Sequence, residues 1–268
     1  GVSKVIKRLE SPARDRMEKG DIALGVGIVQ GRTVDIAQLM KTAGYDWLFL
    51  DCEHGAMSID TCAQIAVAGL AIGITPIVRV PIGGYGLATR LLDCGAMGIT
   101  MPHVENAEQA RELVDNCRFP PVGHRGIGGG VPQYGYQTVN LGEAVEELNR
   151  SMLLIAMVET PEAIARSDEI AAVEGIDVVM IGTNDLALAM GVPQQFGHAR
   201  VVEAYETVAA ACKSHGKWMG SGGVREPELA AQYAAMGAQF FLAGQDIGFM
   251  IAGGSQRAQI LREAVAKN

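Results

Sequence analysis

The 268-residue chain is 49% hydrophobic and 19% charged, enough apolar material to bury a large core in one big domain or two small ones. Its net charge of −8 offers no attraction to a polyanion, which turns the reading away from nucleic acid and anionic membranes and toward small-molecule chemistry. The five cysteines, Cys52, Cys62, Cys94, Cys117 and Cys212, form no CxxC pair, so free thiols in a reducing, cytoplasmic compartment are expected.

The opening stretch, GVSKVIKRLESPARDRMEKG (1–20), is polar throughout and reads as a helical lead-in rather than a secretory leader. Eight apolar runs then follow in order: IALGVGIV (22–29), WLFLD (47–51), TPIVRV (75–80), GITM (98–101), MLLIAMVE (152–159), DVVMIG (177–182), KWMGSG (217–222) and QFFLAG (239–244). Their apolar character is continuous rather than alternating, which marks parallel strands covered on both faces. Helical segments separate them: TVDIAQLMKTAG, SIDTCAQIAVAGLA, LATRLLDCG, NAEQARELVDN, TPEAIARSDEIAAV, HARVVEAYETVAAACKSHG and EPELAAQYAAMG, most of them stopped by glycine. The run AQIAVAGLAIGI is too short and too glycine-rich to cross a bilayer of about 30 Å. Eight βα units in this length predict one (β/α)8 TIM barrel over 1–268. An open doubly wound sheet is disfavoured, because no GxGxxG opens the first helix and no linker divides the chain. One segment breaks the rhythm. FPPVGHRGIGGGVPQYGYQTVNLGE (119–143) is too long for an ordinary connection and is expected to lie over the catalytic face, anchored by Arg125, Tyr134 and Tyr136.

In such a barrel the chemistry gathers where strand C-termini meet the following loops. WLFL stops on Asp51-Cys52-Glu53-His54, TPIV on Arg79, MLLIAMV on Glu159, and the sixth strand is read as running through GTND to Asp185. Taken singly, Glu159 and Asp185 each read as a salt-bridge partner or as neighbours of a helix cap at Thr160 or Thr183. Taken together, two carboxylates on adjacent strands suggest an oxygen-rich, partly open site for Mg²⁺ or Mn²⁺. Tetrahedral zinc is disfavoured because no HxH, HExxH or CxxC spacing occurs. Arg79, inside an apolar strand, needs an anion: either Glu53 or Glu159 as a structural partner, or a substrate carboxylate or enolate. His54 lies beside two acids, the setting of an acid/base and also that of ordinary polar surface. Asp93, at the end of LATRLLDCG, is a second candidate partner for it. Cys52 reads as a packing residue. Of the seven lysines only Lys217 touches a strand, at its N-terminal end, which disfavours iminium chemistry. GSGGV (220–224) after the seventh strand is a weak candidate phosphate cradle.

The stretches FLDCEHGAMS, IVRVP, LLDCGAMGITMPHVENAEQA, PPVGHRG, VET and GIDVVMIGTNDLALAMG occur in this order between Gly25 and Gly191. Together they resemble the HpcH/HpaI family of metal-dependent class II pyruvate aldolases, within the phosphoenolpyruvate/pyruvate barrel superfamily. The resemblance implies Glu159 and Asp185 as ligands of a divalent metal, Mg²⁺ or Mn²⁺ with Co²⁺ as a further option. It implies Arg79 as stabiliser of the pyruvate enolate, His54 as acid/base with Asp93 raising its basicity, and the backbone N–H groups of Asn184 and Asp185 as hosts of the pyruvate carboxylate. Met157 stands where relatives commonly carry a substrate-contacting Gln. The implied partners are a 2-oxo acid and an aldehyde. The implied assembly is a homohexamer of dimers that exchange the C-terminal helix, here GGSQRAQILREAVAKN. Two alternatives are a citrate-forming or decarboxylating enzyme on the same enolate scaffold, and a non-catalytic metabolite-binding barrel. Asp51 and Glu53 are read as supports for His54 and Arg79.

Overall fold

Each apolar run becomes a strand, and the strands close on themselves. In the computed structural model, which describes residues 8–128 and 130–266, the order opens α1 (Pro12–Glu18), β1 (Ala23–Ile28), α2 (Asp35–Thr42), β2 (Trp47–Asp51), α3 (Ile59–Ile72), β3 (Thr75–Arg79), α4 (Tyr85–Asp93), β4 (Gly98–Met101) and α5 (Ala107–Cys117). A 3₁₀ turn (Pro132–Tyr134) and α6 (Leu141–Ser151) lead into β5 (Leu153–Val158), followed by α7 (Pro161–Ala165), α8 (Ser167–Ala171), β6 (Val178–Gly182), α9 (Thr183–Ala189) and α10 (Ala199–His215). β7 (Trp218–Gly222), α11 (Pro227–Ala235), β8 (Ala238–Gln245) and α12 (Asp246–Ala266) complete the chain. Neighbouring strands pair in parallel from β1 round to β8, which pairs with β1 to close an α/β barrel.

Strand periodicity sorts the core into two layers. Successive side chains point to opposite faces, so in WLFLD the pair Trp47 and Phe49 fills the barrel interior with Ile77, Ile155, Met180 and Phe240. Leu48 and Leu50 face the surrounding helices instead. Trp47 stacks on Phe240 with ring centroids 4.0 Å apart. That stack demands a neighbour without a side chain: a Cβ at Gly25 would stand 2.0 Å from the Trp47 ring.

The N-terminal end of the barrel is plugged by α1. Ala13 and Met17 join the interior cluster, and the Ala13 N–H donates to Thr75 Oγ1 at 3.1 Å. Arg14 donates to the Met152 carbonyl at 3.1 Å and to the Asp177 carboxylate at 2.7 Å. Arg118 holds the other Asp177 oxygen at 2.5 Å. Of the helical lead-in expected over 1–20, residues 1–7 lie outside the described residues.

Two expectations are corrected here. The long segment 119–143 does not cover this chain's own catalytic mouth. It connects a helix to the next strand, and in a barrel such αβ connections lie at the N-terminal ends of the strands, opposite the mouth. Its anchors agree: Gln133 Nε2 donates to the carbonyls of Leu92 and Ala96 at 2.8 and 3.1 Å, just ahead of β4. Its last residues already belong to α6, whose cap is the Asn140 side chain accepting from the Glu143 N–H at 3.2 Å. The sixth strand, moreover, stops at Gly182, and GTND does not extend it: Thr183 opens α9, which places Asp185 in a helical first turn.

α12 begins at the mouth and leaves the barrel. The buried Asp246 carboxylate accepts the N–H groups of Val29, Gln30 and Gly31 at 3.0, 2.9 and 2.6 Å, fixing the start of the helix. From Gly248 onward its residues are exposed, including Met250 and Ile251.

Candidate active site

The C-terminal ends of β2, β3, β5, β6, β7 and β8 surround an open cleft. Arg79, Met157, Glu159, Asn184 and Asp185 all line it, with Arg225 and Gln245. Five residues singled out by the sequence, from three separate stretches, therefore meet in one place.

The organising group is Asp51. In the parallel register of β2 and β3, Asp51 stands beside Arg79. Its carboxylate takes Arg79 Nε at 3.0 Å and Nη2 at 2.5 Å, a two-pronged geometry that fixes the guanidinium plane. The same carboxylate accepts the backbone N–H groups of Glu53 and His54 at 3.0 and 3.1 Å, which shapes the turn after β2. Glu53 lies 3.4 Å from Arg79 Nε, and the guanidinium stands over the Phe49 ring at 5.0 Å. Burial works against the Arg79 charge but is outweighed by the Asp51 hydrogen bonds and by the charges of Asp51, Glu53 and Glu159, so its pKa lies above the ordinary arginine value. Of the partners the sequence offered for Arg79, Glu53 is in contact, while Glu159 acts through its charge.

Glu159 follows β5 and is almost wholly buried. One of its oxygens accepts the His103 N–H at 3.0 Å, and its carboxyl is hydrogen-bonded to that of Asp185. Burial first, then the Asp185 hydrogen bond, pushes the Glu159 pKa up to about 8. Two carboxyls set against each other at the mouth are an arrangement that a dication would favour in its ionised form. Space is reserved for the arrangement: a Cβ at Gly182 would come 2.5 Å from Glu159 Oε2. Thr160, not Glu159, caps α7, accepting the Ala163 N–H at 3.1 Å. Thr183 is no cap, since its hydroxyl bonds Tyr205 at 2.8 Å. Among the described residues no three His, Cys, Asp or Glu gather into a ready-made metal cage. Two carboxylates, with further positions left to water and substrate, suit a hard dication that keeps an open coordination face.

His54 stands at the rim, 68% exposed, with Nε2 3.6 Å from Glu53. Asp93 is not brought to it within this chain. Helices run antiparallel to the barrel strands, so the C-terminal end of α4 lies at the opposite face, and Asp93 pairs there with Arg125 at 2.6 Å. Lys217 also lies away from the mouth, its ammonium on the carbonyls of Val173 and Ile176 at 3.2 and 2.8 Å.

Two residues of the site escape the sequence reading. His103 takes a positive φ of 49° to aim its N–H at Glu159; its position two residues past GITM was the available signal. Arg225, behind the Gly222-Gly223 turn, was hidden in a glycine-rich loop.

A sequence model described as HpcH/HpaI aldolase/citrate lyase matches residues 28–252, the span that holds every one of these groups. The chain belongs to that family. A 4-hydroxy-4-methyl-2-oxoglutarate aldolase of Hapsidospora irregularis is 40% identical over 240 residues, 88% of either chain. A 2-keto-3-deoxy-L-rhamnonate aldolase of Escherichia coli K12 is 34% identical over 238 residues, 89% of this chain and 88% of its own. The crystal structure of an HpcH/HpaI aldolase from Desulfitobacterium hafniense superposes with a TM-score of 0.88 at 29% identity, covering 93% of this chain and 96% of that one. Membership of this family makes the chain a carbon–carbon lyase of the aldolase type, and family aldolases of this class generally depend on a divalent metal.

Proposed function

We propose that the chain catalyses the reversible cleavage of a 4-hydroxy-2-oxo acid to pyruvate, or a close 2-oxo acid, and a carbonyl product, with Mg²⁺ or Mn²⁺ held by Glu159 and Asp185. The observation that carries this reading is the pair of carboxyls, Glu159 and Asp185, lining the same cleft as a clamped Arg79. A dication bound there supplies Lewis-acid polarisation of the 2-oxo group.

The chain's own groups do the rest. The first-turn N–H groups of Asn184 and Asp185, which have no intrahelical acceptor, receive the substrate carboxylate. His54, with Glu53 beside its Nε2, takes the proton of the C4 hydroxyl. As the C3–C4 bond breaks, the electron pair passes to C3 and the enolate oxygen, where Arg79 stabilises the developing charge. Asp51 holds that guanidinium in one plane, so little reorganisation is needed as the charge appears. Met157, buried in β5, gives the substrate an apolar floor where relatives commonly place an amide.

The exposed apolar face of α12 supports a homo-oligomer, and an acid/base dyad of His54 with Asp93 would have to form between subunits. No described helix is long and apolar enough to cross a membrane.

The test is product analysis on the metal-loaded protein. Pyruvate is expected from 4-hydroxy-2-oxo acids, together with exchange of the C3 protons of pyruvate in deuterated water. Metal-dependent pyruvate binding without either would leave a binding barrel, and release of citrate from oxaloacetate in place of pyruvate chemistry would favour a synthase.

A further inference from the structure

The cleft contains a second arginine whose charge no described residue answers. Arg225 follows β7 and lines the cleft with Arg79, Glu159 and Asp185. Its backbone N–H donates to the Glu226 carboxylate at 3.2 Å, but its guanidinium has no hydrogen-bond or ion-pair partner among the described residues. Arg79 is the opposite case, balanced by Asp51 and Glu53 at 2.5 and 3.4 Å. Round the barrel, Glu159 after β5 and Asp185 after β6 stand between Arg79 on β3 and Arg225 after β7. A substrate centred on the two carboxylates therefore has one arginine on each side.

Arg225 also stands on a wall. With Gly244 and Gln245 it lines both this cleft and the apolar groove that includes Leu24, Ala230 and Phe249. Arg225 is exposed to the solvent of the cleft, and a guanidinium is less strongly hydrated than an ammonium and presents a planar fork that matches a carboxylate. The cleft lining holds no lysine, and one unpaired arginine balances a single negative charge better than a phosphate dianion.

We propose that Arg225 is the residue that selects the substrate, by binding a second carboxylate carried on its C4 side. This rests on the aldol reading above and narrows it to 4-hydroxy-2-oxo diacids. The cleavage itself is unaltered. The C4 hydroxyl gives up its proton, the C3–C4 bond breaks with its electron pair staying on C3, and C3 is then protonated to give pyruvate. The second product keeps the extra carboxylate. It is a 2-oxo acid when that group sits on C4 itself, and an acid bearing an aldehyde when it sits farther along.

The test compares pyruvate release from 4-hydroxy-4-methyl-2-oxoglutarate with release from 4-hydroxy-4-methyl-2-oxopentanoate, in which a methyl replaces the second carboxylate. The metal-loaded wild type is expected to favour the diacid in kcat/KM by about 10- to 100-fold, the worth of a hydrogen-bonded charge pair. In Arg225→Ala the KM for the diacid should rise and the preference fall to within a few-fold of unity. Arg225→Lys should restore part of it, through charge without the fork. Circular dichroism confirms that each variant folds. An Arg225→Ala protein that keeps the wild-type ratio, or a wild type with no preference for the diacid, overturns the assignment of Arg225 alone. Pyruvate from neither substrate in wild type overturns the aldol reading and this proposal with it.

Discussion

One oxygen of Asp51 takes Arg79 Nε and the N–H groups of Glu53 and His54, while the other takes Arg79 Nη2. A single carboxylate thereby positions both the cation and the imidazole of the proposed reaction, although it is buried behind them. Arg79→Ala removes a preorganised charge stabiliser and should lower kcat by about 10²- to 10³-fold. Arg79→Lys should restore little, because an ammonium cannot reproduce the planar two-bond contact. Asp51→Asn keeps one acceptor but loses the charge, and should lower kcat by about 10- to 100-fold through misplacement of Arg79 and His54. Steady-state kinetics on the three variants check this; near-normal turnover in Arg79→Ala would remove it from the mechanism. Glu159 gives a pH prediction. Its pKa is raised from 4.5 to about 8 in the metal-free fold, so between those values the folded state holds a proton that the unfolded state has released. Stability of the metal-free protein is therefore expected to fall as pH rises from about 5 to 8. Glu159→Gln should flatten that slope in urea titrations across the range, and an unaltered slope would assign it to other groups.

At the scale of elements, the strands were legible because parallel strands buried on both faces need continuous apolar runs, and all eight runs are strands within a residue or two. α9 was not legible: GTND is polar and follows a strand directly, and only the backbone reveals that Thr183 already begins a helix. The side of the barrel taken by 119–143 followed from its place after α5 and before β5, yet its glycine and proline content drew the reading toward a mouth loop. The site was half legible in the same way. Strand ends named Arg79, Glu159 and Asp185, whereas the pairing of Asp51 with Arg79 depends on register, which an apolar run does not display. Asp93 is not beside His54 within this chain but on Arg125, because a place at a helix end does not say which face of the barrel that end occupies. The two ends of the barrel should separate experimentally. Arg14→Ala, on the plugged face, breaks bonds to Met152 and Asp177 while Arg118 still pairs with Asp177. It should lower unfolding free energy by about 2 kcal/mol, seen as a lower urea midpoint, and leave kcat as it was.

For the molecule as a whole, a net charge of −8 means that an anionic substrate is drawn by the local charges of the cleft rather than by the surface at large. Arg225 and the proposed dication are the groups that would make the mouth attractive. The exposed Met250 and Ile251 on α12 are a different matter, surface that a monomer would leave in water and that an assembly would cover. The central claim of the proposed lyase is its dependence on a metal held by Glu159 and Asp185. The most direct measurement is the rate of pyruvate release from a 4-hydroxy-2-oxo acid by chelated protein, before and after Mg²⁺ or Mn²⁺ is restored, in wild type, Glu159→Gln and Asp185→Asn. The wild type should lose activity on chelation and regain it with metal, and neither variant should recover at the same metal concentration. Full activity after exhaustive chelation, or recovery of both variants to the wild-type rate, would contradict the account.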